Sequence, residues 1–221
     1  VRTVIFDLDG TLADTGADLL AAANACFREM GHGDVLRLET DKGTALRGGR
    51  AMLSLGFDRL GVAYDDDALT AYYPDILRHY EADIHTHTRF YPGVEAAVKG
   101  LIEKGYVVGI CTNKPVKLAE ILIESLGARD WFGALLGADS LPVRKPDPLH
   151  FTETVRLCGG DVRRSVLIGD TVTDHDTARA AGVPSVLVGF GPGDTDVRAL
   201  QPDALLDHFD DLHDVVARLI G

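Results

Sequence analysis

The sequence predicts an α/β protein built on an open parallel sheet, with an all-helical segment inserted after the first strand. Three observations carry this. Short apolar, β-branched runs recur along the chain without the alternation of a half-exposed strand, as expected where both faces of a strand are buried. Between them lie stretches of helical period, so strands and helices alternate in the manner of βαβ units. The stretch 14–88 breaks that rhythm, with helical periodicity and no convincing strand.

The first expected strand is Thr3–Phe6, followed at once by Asp7. The insert opens with Thr15 and Asp18 in capping-box spacing, ahead of a helix whose Leu19, Ala23, Cys26 and Met30 share one face. A later helical pattern at 66–84 carries Pro74, where a kink or break is expected. Beyond the insert, helices are expected at 93–104, 115–126, 147–157 and 174–181, several closed by a following glycine. The strands between them are Val107–Cys111, Ser165–Gly169, 183–188 and a weaker 134–138. The expected division is therefore residues 1–14 with 89–221 as the α/β core, and 15–88 as the helical domain.

Composition narrows the function. With 221 residues, 46% hydrophobic and 25% charged, the chain can bury a core without disulfides, and disorder is excluded. A net charge of −12 argues against sequence-independent binding of nucleic acid or anionic lipid, and an anionic substrate would need local cations or a metal. Cys26, Cys111 and Cys158 are far apart and odd in number, which points to a reducing cytoplasm rather than a disulfide framework. No apolar run approaches the roughly 20 residues of a membrane span, and no signal peptide is expected.

In open α/β sheets, ligands bind beyond the carboxyl ends of the strands. The chemistry-bearing residues cluster there in the sequence. Asp7, Thr112 and Asp170 each directly follow a strand run, and Lys145 follows the weakest strand after a short loop. Asp7-Leu8-Asp9-Gly10-Thr11 sets two carboxylates two residues apart beside a glycine that permits a tight turn, a hard oxygen site. Gly169-Asp170-Thr171-Val172-Thr173-Asp174 supplies a second pair, for which helix capping is the plainer reading. Thr112-Asn113-Lys114 offers a hydroxyl and an amide, with Lys114 read as a surface residue. Lys145-Pro146-Asp147-Pro148 holds a lysine in a stiffened turn.

These four motifs, in this order and spacing, resemble those of the haloacid-dehalogenase-like hydrolases across essentially the whole chain. Tyr91-Pro92-Gly93-Val94 and Ala180-Ala181-Gly182 also look like that family, and the insert resembles its C1-type helical cap. The resemblance implies a Rossmann-like core and an aspartyl-phosphate mechanism. Asp7 would be the nucleophile and Asp9 the general acid and base. Mg2+ would be held by Asp7, the backbone carbonyl of Asp9, and Asp170, with Asp174 supporting its waters. Thr112 and Asn113 would bind phosphate oxygens, and Lys145 would neutralise charge on the nucleophile and the transferring group. An aspartate at position 9 is unlike the dehalogenase branch and favours phosphoester hydrolysis.

Within the family the chain is most similar to phosphoglycolate phosphatases, so the expected reaction is hydrolysis of a small phosphomonoester, 2-phosphoglycolate first among them. The alternatives are another small phosphoester, a pyrophosphate or sugar phosphate, a phosphosugar mutase, a receiver-type signalling module, or a regulatory protein without turnover. In the insert, Arg47 and Arg50 flank a Gly-Gly turn and are the candidates for reading a substrate carboxylate or sugar. His85-x-His87 lacks a third ligand at metal spacing and is expected to be structural. The acidic segment 207–214 is expected to be a solvated face or a set of caps, and Trp131 and Phe132 to pack in the core.

Overall fold

The computed structural model describes residues 1–192 and 196–221. The chain opens with β1 (Thr3–Phe6) and a short β2 (Ala13–Asp14), then passes through four helices. These are α1 (Gly16–Glu29), α2 (Leu38–Leu46), α3 (Gly49–Leu60) and α4 (Asp66–Ala82). It returns by β3 (Arg89–Phe90) and then alternates: α5 (Val94–Glu103), β4 (Val107–Cys111), α6 (Val116–Ser125), β5 (Ala134–Leu136), α7 (Pro148–Leu157), β6 (Ser165–Gly169), α8 (Val172–Ala181), β7 (Ser185–Val188), β8 (Ala204–Leu206) and α9 (Leu212–Ile220). The described residues divide into two compact units, one of residues 1–13, 90–191 and 196–221, the other of residues 14–89 with Pro192.

The first unit is the α/β fold the sequence predicts. Its sheet has the order β5-β4-β1-β6-β7-β8, and every neighbouring pair is parallel. Val4, Ile5 and Phe6 in β1 are fully buried, as are Val166 and Ile168 in β6, which explains the unbroken apolar runs. On one face, Ile5, Cys111 and Leu167 pack with Phe151 and Val155 of α7 and Ala178 of α8. Two elements escaped the sequence reading. Strand β8 is only three residues, and α9 starts inside the acidic segment 207–214, whose aspartates are exposed as expected. Between them Phe209 and Leu212 are buried, and α9 lays Val215, Val216 and Ile220 inward. Strands β5 and β7 are also shorter than expected. Phe132 is buried, whereas Trp131 is half-buried and stacks on Phe90, with ring centroids 5.5 Å apart.

The second unit is helical, with α1 packed on α2, α3 and α4. Phe57 is its aromatic centre, edge-on to Phe27 at 5.6 Å and in contact with Tyr64 and Tyr72. Gly56 makes room for the Phe27 ring, which a Cβ there would overlap. The buried Asp41 takes a bidentate ion pair from Arg59 at 2.5 and 2.6 Å, and that pairing holds its carboxyl down at about 2.

One expectation for this unit fails, and of the kink or break expected at Pro74 only the break is excluded. Thr15 makes no capping hydrogen bond, and the Asp18 carboxylate instead accepts from the His87 and Thr88 amides and the Thr88 hydroxyl at 2.7–3.0 Å. A capping box satisfies orphan amides at one helix start, and here a more distant strand-bound segment supplies the donors. Helix α4 runs through Pro74 rather than stopping. The proline removes one helical hydrogen bond, while Leu69, Ile76 and Tyr80, buried on one face, hold the helix on both sides of it.

Candidate active site

Register places the site. Phe6 of β1 is level with Ile110 of β4 and Ile168 of β6. The residues just beyond these strands, Asp7, Thr112 and Asp170, therefore emerge together at the carboxyl edge. The chain leaves β1 for β4 on one side and later reaches β6 on the other, so Asp7 stands at the point where strand order reverses, the usual crevice of an open α/β sheet. Beyond Asp7 the chain folds back tightly: Gly10 has φ of 80°, and the Leu12 and Ala13 amides both bond the Leu8 carbonyl at 3.0 Å. That turn returns Thr11, whose hydroxyl donates to Asp170 Oδ1 at 2.9 Å.

Lys145 is almost completely buried among these carboxylates. Its Nζ is 2.6 Å from Asp174 Oδ1 and 3.1 Å from Asp7 Oδ1. Burial alone would discharge it, but Asp174 and Asp7 together outweigh that and raise its pKa. The Asp7 carboxyl is pushed up to about 6, first by burial and then by the charges of Asp174 and Asp9, with Lys145 only partly offsetting them. Burial, with Asp174 and Asp7 beside it, drives Asp170 well above the ordinary carboxylate range. Oxygens of Asp7, Asp170 and Asp174 lie within 4.8 Å of one another, the grouping of acidic side chains among the described residues that could hold a metal ion.

Asp174 combines two readings the sequence set against each other. Its Oδ2 accepts from the Asp170 and Thr171 amides and the Thr171 hydroxyl, closing a capping box at the start of α8, while Oδ1 takes Lys145. A Cβ at Gly169 would sit 2.3 Å from Asp174, so the glycine at the end of β6 is what lets this carboxylate approach.

Thr112 is buried, and its Oγ1 accepts from the Lys114 amide at 3.2 Å. The Asn113 amide donates to the Lys145 carbonyl at 3.0 Å and so ties the β4 loop to the lysine loop. Lys114 is not the surface residue the sequence suggested. It is buried, with Nζ 2.9 and 3.1 Å from the two oxygens of Asp9. The apolar strand leading into its loop seats Thr112 at the sheet edge but says nothing of where the lysine two residues on will turn.

His150 was also missed. Fully buried in α7, it is kept neutral by burial, donates from Nε2 to the Gly137 carbonyl at 2.9 Å, and faces the Cys111 thiol with Nδ1 at 3.3 Å. It fastens the helix that follows Lys145 to the ends of β4 and β5. The Cys111 thiol is itself pushed up to about 12 by burial, so it is inert.

Arg47 and Arg50 belong to the helical unit. Arg47 is exposed and donates to Thr44 Oγ1 at 3.2 Å, while Arg50 is engaged by Asp66 and Thr70 at 3.0 and 2.9 Å. His85 and His87 join no metal-type cluster among the described residues.

Comparison with known proteins identifies the family. The family model for haloacid dehalogenase-like hydrolases matches residues 4–188. A phosphoglycolate phosphatase of Mesorhizobium japonicum is 41% identical over 95% of this chain and 92% of its own length. One from Agrobacterium fabrum is 37% identical over 93% and 88%. Among solved structures, a Haemophilus somnus protein described as a predicted phosphoglycolate phosphatase has a TM-score of 0.86 at 23% identity, covering 97% of both chains. CbbY from Rhodobacter sphaeroides, in complex with phosphate, has a TM-score of 0.78 at 20% identity, covering 96% of each. At such identities the two structures speak for the fold alone. The family model and the curated relatives span nearly all of the chain, and the chain belongs to the haloacid dehalogenase-like hydrolase family.

Proposed function

We propose that this enzyme, a phosphoric monoester hydrolase, converts 2-phosphoglycolate to glycolate and phosphate through a phosphoryl group carried on Asp7. The observation that supports this most directly is the buried Asp7–Lys145–Asp174 arrangement, with Asp9 two residues from Asp7 and held at the same edge. Asp7 Oδ1 is fixed by the Leu8 amide at 2.7 Å and by Lys145, which leaves Oδ2 to attack phosphorus. As that bond forms, the bond from phosphorus to the ester oxygen breaks, and protonated Asp9 gives its proton to the departing oxygen. Asp9 then takes a proton from water, whose oxygen attacks the same phosphorus and releases Asp7 and inorganic phosphate. Lys145 offsets charge on Asp7 and on the transferring group, Thr112 and Asn113 bind phosphate oxygens, and Asp174 holds Lys145 in place.

The donor set fits a divalent cation. Asp7, Asp9, Asp170 and Asp174 oppose Lys114 and Lys145, leaving two formal negative charges, and burial first and the neighbouring carboxylates second raise the pKa values of Asp7 and Asp170. Mg2+ bound there would draw charge from the phosphate and screen it from the carboxylates. Asp7, Asp170 and the Asp9 carbonyl are the residues that would hold it. Both oxygens of Asp174 are already taken by protein donors, so its part is to organise the site.

Arg47 and Arg50 remain the candidates in the helical unit for a substrate carboxylate, each hydrogen-bonded within that unit, Arg47 to Thr44 and Arg50 to Asp66 and Thr70. The three cysteines are unpaired, which fits the cytoplasm, and among the described residues no helix is long and apolar enough to cross a membrane. The test is phosphate release from a panel of phosphomonoesters, pyrophosphate and sugar phosphates with and without Mg2+. Metal-dependent release that favours 2-phosphoglycolate supports the reading. A preference for pyrophosphate or a hexose phosphate refutes the substrate, and turnover unchanged by chelator refutes the metal.

A further inference from the structure

The two ammonium groups of the core site are placed differently. Lys145 is pinned between Asp7 and Asp174, whereas Lys114 faces Asp9, touching both of its oxygens. The Lys114 side chain is 4% exposed and that of Asp9 17%, so the pair is largely withdrawn from water.

Its loop is anchored rather than free to swing. The Lys114 amide donates to Thr112 Oγ1, and its carbonyl accepts from the Ala138 amide at 2.9 Å. At Gly137 a Cβ would come within 2.6 Å of the Lys114 carbonyl and 2.4 Å of the Val116 amide, so the close approach of the loops after β4 and β5 needs that glycine.

This arrangement conflicts with the work proposed for Asp9. To give a proton to the ester oxygen, one Asp9 oxygen must carry that proton, and a carboxyl O–H turned to the ester oxygen is a poor acceptor for the ammonium. When that contact opens, an anion arriving beside Lys114 can replace the charge it faced on Asp9. In 2-phosphoglycolate one methylene separates the ester oxygen from the carboxylate. A cation within hydrogen-bond reach of the acid that serves the ester oxygen is therefore within reach of that carboxylate too.

We propose that Lys114 is a specificity-determining residue, holding Asp9 in the free enzyme and passing to the carboxylate on the leaving group when substrate binds, which frees Asp9 to act. The inference rests on the phosphatase reading above. It adds the class of substrate selected by the core itself: phosphomonoesters with an anionic group one methylene away from the ester oxygen. The event is an exchange of ion-pair partners, with no covalent change at Lys114.

The test uses the full chain and two substrates of matched shape, 2-phosphoglycolate and ethyl phosphate, with Lys114→Met and Lys114→Arg. Lys114→Met should lower kcat/KM for 2-phosphoglycolate by about 10- to 100-fold, the worth of one charge-assisted hydrogen bond, with the loss carried mainly by KM. For ethyl phosphate kcat/KM should hold or rise, since Asp9 is no longer detained. Lys114→Arg should restore part of the preference. An equal loss on both substrates, or none on either, overturns the proposal. Binding of glycolate, followed by calorimetry, supplies an arm that needs no turnover. If wild type hydrolyses neither ester, the phosphatase reading fails. Glycolate bound by wild type and lost in Lys114→Met would still uphold Lys114 as the carboxylate's partner, and equal binding or none would overturn it.

Discussion

Replacing the nucleophile should make the metal-free enzyme more stable. Asp7 is buried, and its carboxyl is pushed from the usual 3.8 to about 6, first by that burial and then by Asp174 and Asp9. The folded state therefore holds the Asp7 proton more tightly than the unfolded chain does. Below about pH 3 the group is protonated in both states and costs nothing. Stability is then lost as pH rises through the window from 3.8 to about 6, and at neutral pH the full penalty applies. That gap corresponds to about 3 kcal/mol. Asp7→Asn removes the charge, and its amide oxygen can still accept from the Leu8 amide and Lys145. Without divalent metal, the variant should gain up to about 3 kcal/mol at pH 7 and almost nothing at about pH 3. Urea unfolding in chelator, followed by the fluorescence of Trp131, reads this directly, because the chain's one tryptophan lies in the α/β unit. Adding Mg2+ should stabilise the wild type and not the variant, and phosphate release by the variant should vanish. A variant less stable than wild type at pH 7, or a difference that does not change with pH, would refute the electrostatic account of the site.

Three further outcomes are expected. Asp9→Asn should slow turnover of an alkyl phosphate by about 10²–10⁴-fold while sparing metal affinity, because the proposed ligand at that position is a backbone carbonyl. Near-normal kcat would remove Asp9 from proton transfer. Asp18→Ala should destabilise the helical unit by about 3 kcal/mol, since it orphans the donors of His87 and Thr88, and a change within the noise of an unfolding curve would show the clasp to be dispensable. Gly137→Ala should cost about 1–3 kcal/mol by forcing back the backbone at Lys114 and Val116, with kcat/KM falling alongside. Unaltered kinetics would show that this approach does not position Lys114.

Much of the fold was legible because a strand buried on both faces writes itself as an uninterrupted apolar run, and β1, β4 and β6 each did so. Strand β8 contributes only Ala-Leu-Leu between aspartates, too short for any period, and it exists because β7 offers an open edge to pair with. In α9 the acidic residues concealed an apolar face that shows only when 212, 215, 216 and 220 are placed on one helix. The site was legible where residues are consecutive and abut a strand. Asp7, Thr112 and Asp170 follow from that rule alone. Partnership across the sheet edge did not, since a lysine three residues into a loop looks the same in sequence whether it faces water or, like Lys114, a carboxylate brought by another strand.

Asp174 shows why setting structural against functional readings misleads at a site such as this. One oxygen closes the capping box that starts α8, and the other holds Lys145 against Asp7. The cap fixes the carboxylate's rotamer, and the fixed rotamer aims Oδ1 at the lysine, so the helix start is the support on which the ammonium is positioned. The same logic runs through Thr11, whose turn at Gly10 returns a hydroxyl to Asp170, and through Gly137, whose missing side chain admits the Lys114 loop. In each case an ordinary device of local structure sets the orientation of a charged group that burial has made costly. An acidic protein can bring an anionic phosphoester to its own carboxylates only if its few buried cations are held in place before the substrate arrives. The caps, turns and close glycine contacts at the ends of β1, β4, β5 and β6 are the means by which this chain holds them.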